Sequence, residues 1–127
     1  VKIAGQYEEL WPAAAGEGEG PLAAAVRQEA VADEEALVGY LRDGVELFTA
    51  MGAVGDLLGS GERILGGESV LTDGEWVWRG DLWFYVRRYH LALPGEFLAA
   101  VRGRGHRVPE VERPVLLALW EALRPLL

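Results

Sequence analysis

The chain has 127 residues, half of them apolar and a quarter charged, with a net charge of −8. That is the balance of one globular domain spanning residues 1–127 rather than of a disordered chain. It contains no cysteine, which excludes a disulfide framework, a thiolate nucleophile and a cysteine zinc site. No apolar run approaches the roughly 18 residues of a bilayer-spanning helix, so no membrane is expected as a partner.

In chain order, residues 1–10 read as an edge strand or the lead into a helix, offering Tyr7, Leu10 and Trp11 to a core. The opening Val1-Lys2-Ile3-Ala4-Gly5 carries no secretory pattern, so a cytoplasmic location is expected. Residues 12–20 are rich in Ala, Gly and Glu without apolar periodicity and read as a loop, after which Pro21 suits the first turn of a helix over 22–29. Asp33 precedes Glu34, Glu35 and the series Ala36, Leu37, Tyr40, Leu41, which predicts a helix capped by Asp33 and closed by Gly44. Residues 45–51 alternate as a strand, residues 53–58 suggest one helical turn, and glycines 59, 61, 66 and 67 mark turns around a short strand at 63–65.

The sharpest local signal is 68–79, two β-prone runs joined by Asp73-Gly74, which predicts a hairpin with a two-residue type I′ turn and positive φ at both residues. Asp81 then caps a helix carrying Leu82, Tyr85, Val86 and Tyr89 and ending near His90. Pro94 opens another over Phe97, Leu98 and Val101, and Pro114 begins a last helix striped by Val115, Leu116, Leu119, Trp120 and Leu123. The order predicts an α+β fold, a small antiparallel sheet with its hairpin at 68–79 packed against several helices, three of them C-terminal.

Function must come from side chains. His90 and His106 are the only histidines, Ser60 and Ser69 the only serines, and neither serine stands in a G-x-S-x-G elbow. No catalytic residue, metal site or cofactor is therefore assigned. The glycines form no phosphate loop, since no G-x-x-x-x-G-K-[ST] is present. The twelve acids of residues 1–63 face only four bases, whereas residues 64–127 hold eight of each. Such a field repels nucleic acid and attracts a basic partner. The arginines at 87, 88, 102, 104 and 107 then read as helix-dipole compensation, as counterparts of the acidic half, or as an interface rim.

Six aromatic residues, Trp76, Trp78, Trp83, Phe84, Tyr85 and Tyr89, fall within 76–89. Trp76 and Trp78 share one strand face and are expected to pack beneath the last helix against Trp120, leaving Trp83 and Phe84 as a partner-binding surface. With them go the exposed acids Glu17, Glu19, Glu34 and Glu35. The alternative is a small-molecule-binding or hydrolytic protein whose pocket is lined by Trp76, Trp78, Tyr85 and His90.

The stretch Asp73-Gly74-Glu75-Trp76-Val77-Trp78, then Asp81-Leu82, Tyr85-Val86, Tyr89-His90, Leu93-Pro94 and Glu96-Phe97-Leu98 resembles a recurring block of small uncharacterised bacterial proteins. There DG-x-W-x-W leads into DL-xx-YV-xx-YH and LP-x-EFL. Proteins of this kind are similar in size and style to the immunity proteins of bacterial polymorphic toxin systems. The block spans about a quarter of the chain, and the absence of Asn with a single Lys fits the GC-rich codon usage of a bacterial source. The acidic half, the aromatic pair and the lack of site chemistry point to a non-enzymatic protein-interaction module for a basic partner; the resemblance implies that such a module is an immunity-type inhibitor of a toxin-like protein, and it carries over no catalytic residue.

Overall fold

The computed structural model describes residues 1–16 and 18–127; Glu17, one of the acids singled out above, lies outside them. Its elements confirm the α+β class. Six strands, β1 (Lys2–Ile3), β2 (Val45–Phe48), β3 (Ala53–Gly55), β4 (Arg63–Leu65), β5 (Val70–Thr72) and β6 (Trp76–Arg79), are joined by helices α1 (Glu34–Arg42), α2 (Leu82–Tyr89), α3 (Gly95–Gly103) and α4 (Arg113–Leu123). The main sheet runs β1-β6-β5-β2, antiparallel except for the pairing of β1 with β6, and β3 and β4 form a separate hairpin. Two expectations are corrected. Residues 22–29 hold only a 3₁₀ turn, Leu22–Ala25, and Ala53–Gly55 is a strand rather than a helical turn. In the loop after β3, the Asp56 carboxylate accepts the N–H groups of Leu58 and Ser60, which bends the chain back toward β4.

The 68–79 hairpin forms with Thr72 opposite Val77 and Leu71 opposite Trp78. Its turn is not type I′, because Gly74 has φ 96° whereas Asp73 is not among the left-handed residues. The Asp73 side chain does the work instead: Oδ1 accepts the N–H of Glu75 at 2.9 Å and of Trp76 at 2.7 Å. Thr72 Oγ1 adds a bond to the Trp76 carbonyl and accepts the Gly74 N–H.

Strand alternation puts Trp76, Trp78 and Leu71 on one sheet face and Phe48, Val70 and Arg79 on the other. The first face meets α1 and α3: the Phe97 ring lies 5.4 Å from Trp76 and 5.6 Å from Trp78, and Tyr40 lies 5.9 Å from Trp78. Trp78 is fully buried with its indole N–H donated to the Leu41 carbonyl. The expected packing against Trp120 is therefore wrong; that residue stacks on Phe48 across the other face, centroids 6.1 Å apart and planes 3° from parallel.

Neither helix cap expected from aspartate forms. Asp33 and Asp81 occupy the N-cap positions of α1 and α2 without a capping bond from the side chain, since arginines, distant Arg102 for the first and nearby Arg79 for the second, take the two carboxylates. Asp81 receives Nε and Nη2 of Arg79 at 3.2 and 2.9 Å, and Arg79 Nη1 reaches on to the Leu10 carbonyl. Gly44 follows α1 for a packing reason: a Cβ there would lie 2.7 Å from Trp78 and 2.9 Å from Leu71 Cβ.

Candidate functional site

α4 is the least self-sufficient element. Its sequence, Arg-Pro-Val-Leu-Leu-Ala-Leu-Trp-Glu-Ala-Leu, is apolar on nearly every side, as in helices that are buried all round, yet Leu123 alone is buried in the chain. Val115 and Leu117 are 41% and 54% exposed on different sides of the helix; Leu117 shares a groove with Leu47 and Trp120, and Trp120 shares a second with Phe48, 42% exposed, and Leu127, 53% exposed. Trp120, half-buried, bridges the helix to β2 through its stack on Phe48. A cavity of about 370 Å³ runs along this face between Trp11, Phe48, Val70, Trp120 and Leu127. The indole N–H of Trp11 in its wall is buried without a hydrogen-bond partner among the described residues. Exposed acids border the face, Glu46 on β2, Glu68 before β5, and Glu112 and Glu121 at the two ends of α4. Arg79, Arg113 and Arg124 are the nearby cations, Arg79 paired with Asp81 at 2.9 Å and Arg124 with Glu121 at 3.2 Å. β2 also ends the sheet, so its outer edge is unpaired.

Trp83 and Phe84 are half-buried on the outer side of α2, their rings edge to face at 6.0 Å. Their surroundings are cationic. The Arg42 and Arg87 guanidinium carbons lie 4.5 and 5.3 Å from the Trp83 ring centroid. An open groove of about 460 Å³ joins Trp83 and Phe84 to Glu62, Arg87, Arg88 and His90. His90 ends α2 in the left-handed conformation, φ 52°, with Nδ1 held 2.7 Å from Glu34 Oε2.

The acids expected to act together are placed differently. Glu34 is engaged by His90, Glu19 accepts the Gln6 backbone N–H at 2.6 Å, and Glu35 is exposed on the first turn of α1. Of the four residues expected to line a pocket, Trp76, Trp78 and Tyr85 are core side chains lining none of the described cavities, and only His90 reaches one. Tyr85 instead accepts the Leu57 N–H through its hydroxyl, and Tyr89 donates to Asp56, which together tie the β3–β4 hairpin to α2.

The arginine group divides by role. Arg102 forms a bidentate pair with Asp33 at 2.9 and 3.0 Å, and His106 Nε2 joins the same carboxylate at 2.8 Å. The Arg102 bonds, and then that of His106, hold the Asp33 carboxyl well below the usual carboxylate range. Arg104 donates to Asp73 and Glu75, and Lys2 completes the chain at Glu75, whose carboxyl is lowered by Lys2 first. Arg102 and Arg104 are thus internal counterparts of acids, whereas Arg87 and Arg88 face the groove. Sequence alone does not single out Phe48 or Arg42, nor the tertiary role of Asp73 beyond its turn; the visible signal for the α4 face is the absence of a polar side on that helix.

No group of three or more His, Asp or Glu among the described residues is placed to hold a metal ion, and no described helix is long and apolar enough to cross a membrane. Compared with protein-family models, curated proteins and solved structures, the chain matches none.

Proposed function

We propose that this chain is a non-enzymatic protein-interaction module that binds a basic protein partner, in the manner of an immunity-type inhibitor, through α4 and the β2 edge. One observation carries the reading: an eleven-residue apolar helix buries only Leu123 and leaves Leu117 exposed beside Trp120, which stacks on the exposed Phe48 of β2. Contiguous exposed apolar surface of this kind, rimmed by polar groups, marks interaction sites in proteins. The rim acids Glu46, Glu68, Glu112 and Glu121, in a chain of net charge −8, favour a basic partner. Phe48 and Trp120, already stacked, present a preorganised aromatic anchor at the centre of the face. Trp83 and Phe84, flanked by arginines, suit a basic partner poorly and are not assigned to this contact. A pocket of Trp76, Trp78, Tyr85 and His90 has no comparable support.

The test is a photo-crosslinking amino acid at Leu117 in the native host, with the same residue at Leu57 in the β3–β4 loop as control. A single basic protein captured from position 117 and not from 57, whose affinity for the purified chain falls on Leu117→Asp, is the expected result. Capture at both positions alike, or an acidic partner, would overturn the proposal.

A further inference from the structure

Lys2, Arg79, Arg102, Arg104 and Arg124 each sit in an ion pair with a carboxylate. In a chain with twenty acids against twelve Lys and Arg, a cation left without an acid runs against the average field. Among the described residues Arg27, Arg42, Arg63, Arg87, Arg88, Arg107 and Arg113 form no ion pair, and three of these seven gather in one place: Arg42 and Arg87 lie over Trp83, and Arg87 and Arg88 line the groove beside it. The charges facing this groove from other elements are Glu62, next to β4, and Glu34 of α1, which is taken by His90. The groove therefore stays cationic in an acidic protein.

We propose that this groove binds a small organic phosphate bearing an aromatic ring. Guanidinium forks match phosphate oxygens with paired N–H donors, and two of them balance a dianionic head. His90, with Nδ1 fixed on Glu34, has its other ring nitrogen left to meet a phosphate oxygen. Phe84 and Trp83 supply the apolar wall on which a ring lies, and the Arg42 and Arg87 stacking on Trp83 holds the guanidinium planes in place before the ligand arrives. The site is distinct from the α4 face and stands whether or not that face binds a protein.

The probes are phenyl phosphate, phenol and inorganic phosphate, titrated into the full chain at about 0.15 M salt, read by calorimetry and by the NMR shift of the Trp83 indole N–H. Phenyl phosphate is expected to bind and shift that resonance, with phenol and inorganic phosphate each at least about tenfold weaker. Arg88→Gln and Phe84→Leu should each weaken phenyl phosphate about tenfold, whereas Arg107→Gln, an exposed arginine elsewhere, should not. Folding of each variant is checked by its denaturation midpoint, and Arg88→Gln, at an exposed position, keeps the test open if Phe84→Leu unfolds. Absence of binding, inorganic phosphate binding as well as phenyl phosphate, or an equal loss on Arg107→Gln would overturn the proposal.

Discussion

The Tyr40 hydroxyl donates to Oδ2 of Asp73 across 2.7 Å, and neither residue is more than 2% exposed. This bond fastens α1 to the turn between β5 and β6, and Arg104, arriving from the end of α3, closes the group at 2.9 Å from the same oxygen. Asp73 thereby spends one carboxylate oxygen on the turn and the other on the tertiary contact. Burial, and next the bond to Asp73, push the Tyr40 phenol well above its usual value, so it remains a donor across the working pH range.

Removing the two partners should have unequal effects. Tyr40→Phe deletes the bond to Asp73, which keeps Arg104, and the weaker one the hydroxyl accepts from Arg104 at 3.2 Å, and should cost about 1.5–3 kcal/mol. Asp73→Ala strands the Tyr40 hydroxyl, two backbone N–H groups and part of the Arg104 charge, and should cost about 3–5 kcal/mol. Urea midpoints at unchanged slope measure both. Equal losses would show that the turn does not depend on the carboxylate.

Two glycines test the backbone geometry. Gly74 carries φ 96°, so Gly74→Val should cost more than about 1 kcal/mol by strain alone. At Gly80 a Cβ would lie 2.4 Å from the Gly66 carbonyl oxygen, a backbone atom that cannot swing aside. Gly80→Ala should therefore cost about 2–3 kcal/mol despite its small size. A Gly80→Ala variant as stable as the parent in chemical denaturation would mean that the approach of the two chain segments is wrong.

Asp33 gives a pH signature. Its folded-state carboxyl titrates below the ordinary 3.8, held by Arg102 and then by His106. A lowered folded value contributes stability in full above the unfolded value and loses it as pH falls through the folded one. Asp33→Asn should be less stable than the parent by a constant margin from about pH 5 upward, and the margin should shrink steadily below about pH 4. Denaturant midpoints of both proteins across that range measure it, and a margin that persists undiminished to pH 2 contradicts the pairing.

Local patterns were legible and partnerships were not. The α1 and α2 stripes, the Pro-led starts of α3 and α4, and the hairpin at 68–79 rest on spacing of three, four or two residues, which the chain displays directly. Asp33 and Asp81 have the chemistry of helix caps, but arginines take both carboxylates; Arg79 stands two residues before Asp81 in the chain, whereas Arg102 reaches Asp33 across 69 residues and is brought there only by the fold. The parallel pairing of Lys2 with Trp76 spans most of the chain and leaves no periodic trace. Trp76 and Trp78 declared a shared face, yet which helix would cover it, with Phe97 rather than Trp120, depended on the crossing of elements. The charge around the expected partner-binding pair was hidden for the same reason: Trp83 is exposed in part, as expected, but its neighbours Arg42 and Arg87, the first from another helix, set the sign of charge around it.

The two faces separate by kinetics once a partner has been captured at position 117. The chain's charge of −8 should steer a basic protein, so association should slow several-fold as salt rises from about 0.05 to 0.5 M, while dissociation changes less. Glu46→Gln combined with Glu112→Gln should reproduce part of that loss in on-rate without touching the off-rate. Trp120→Ala removes half of the stacked anchor and should raise the off-rate about tenfold or more, provided its denaturation midpoint confirms a folded chain. Trp83→Ala should alter neither rate, because its ring lies against the guanidiniums of Arg42 from α1 and Arg87 from α2, which a basic partner avoids. Surface plasmon resonance with the three variants gives all of these numbers. An off-rate that responds to Trp83→Ala and not to Trp120→Ala moves the contact to α2, and an on-rate indifferent to salt and to the Glu→Gln pair leaves the acidic charge without a part in binding.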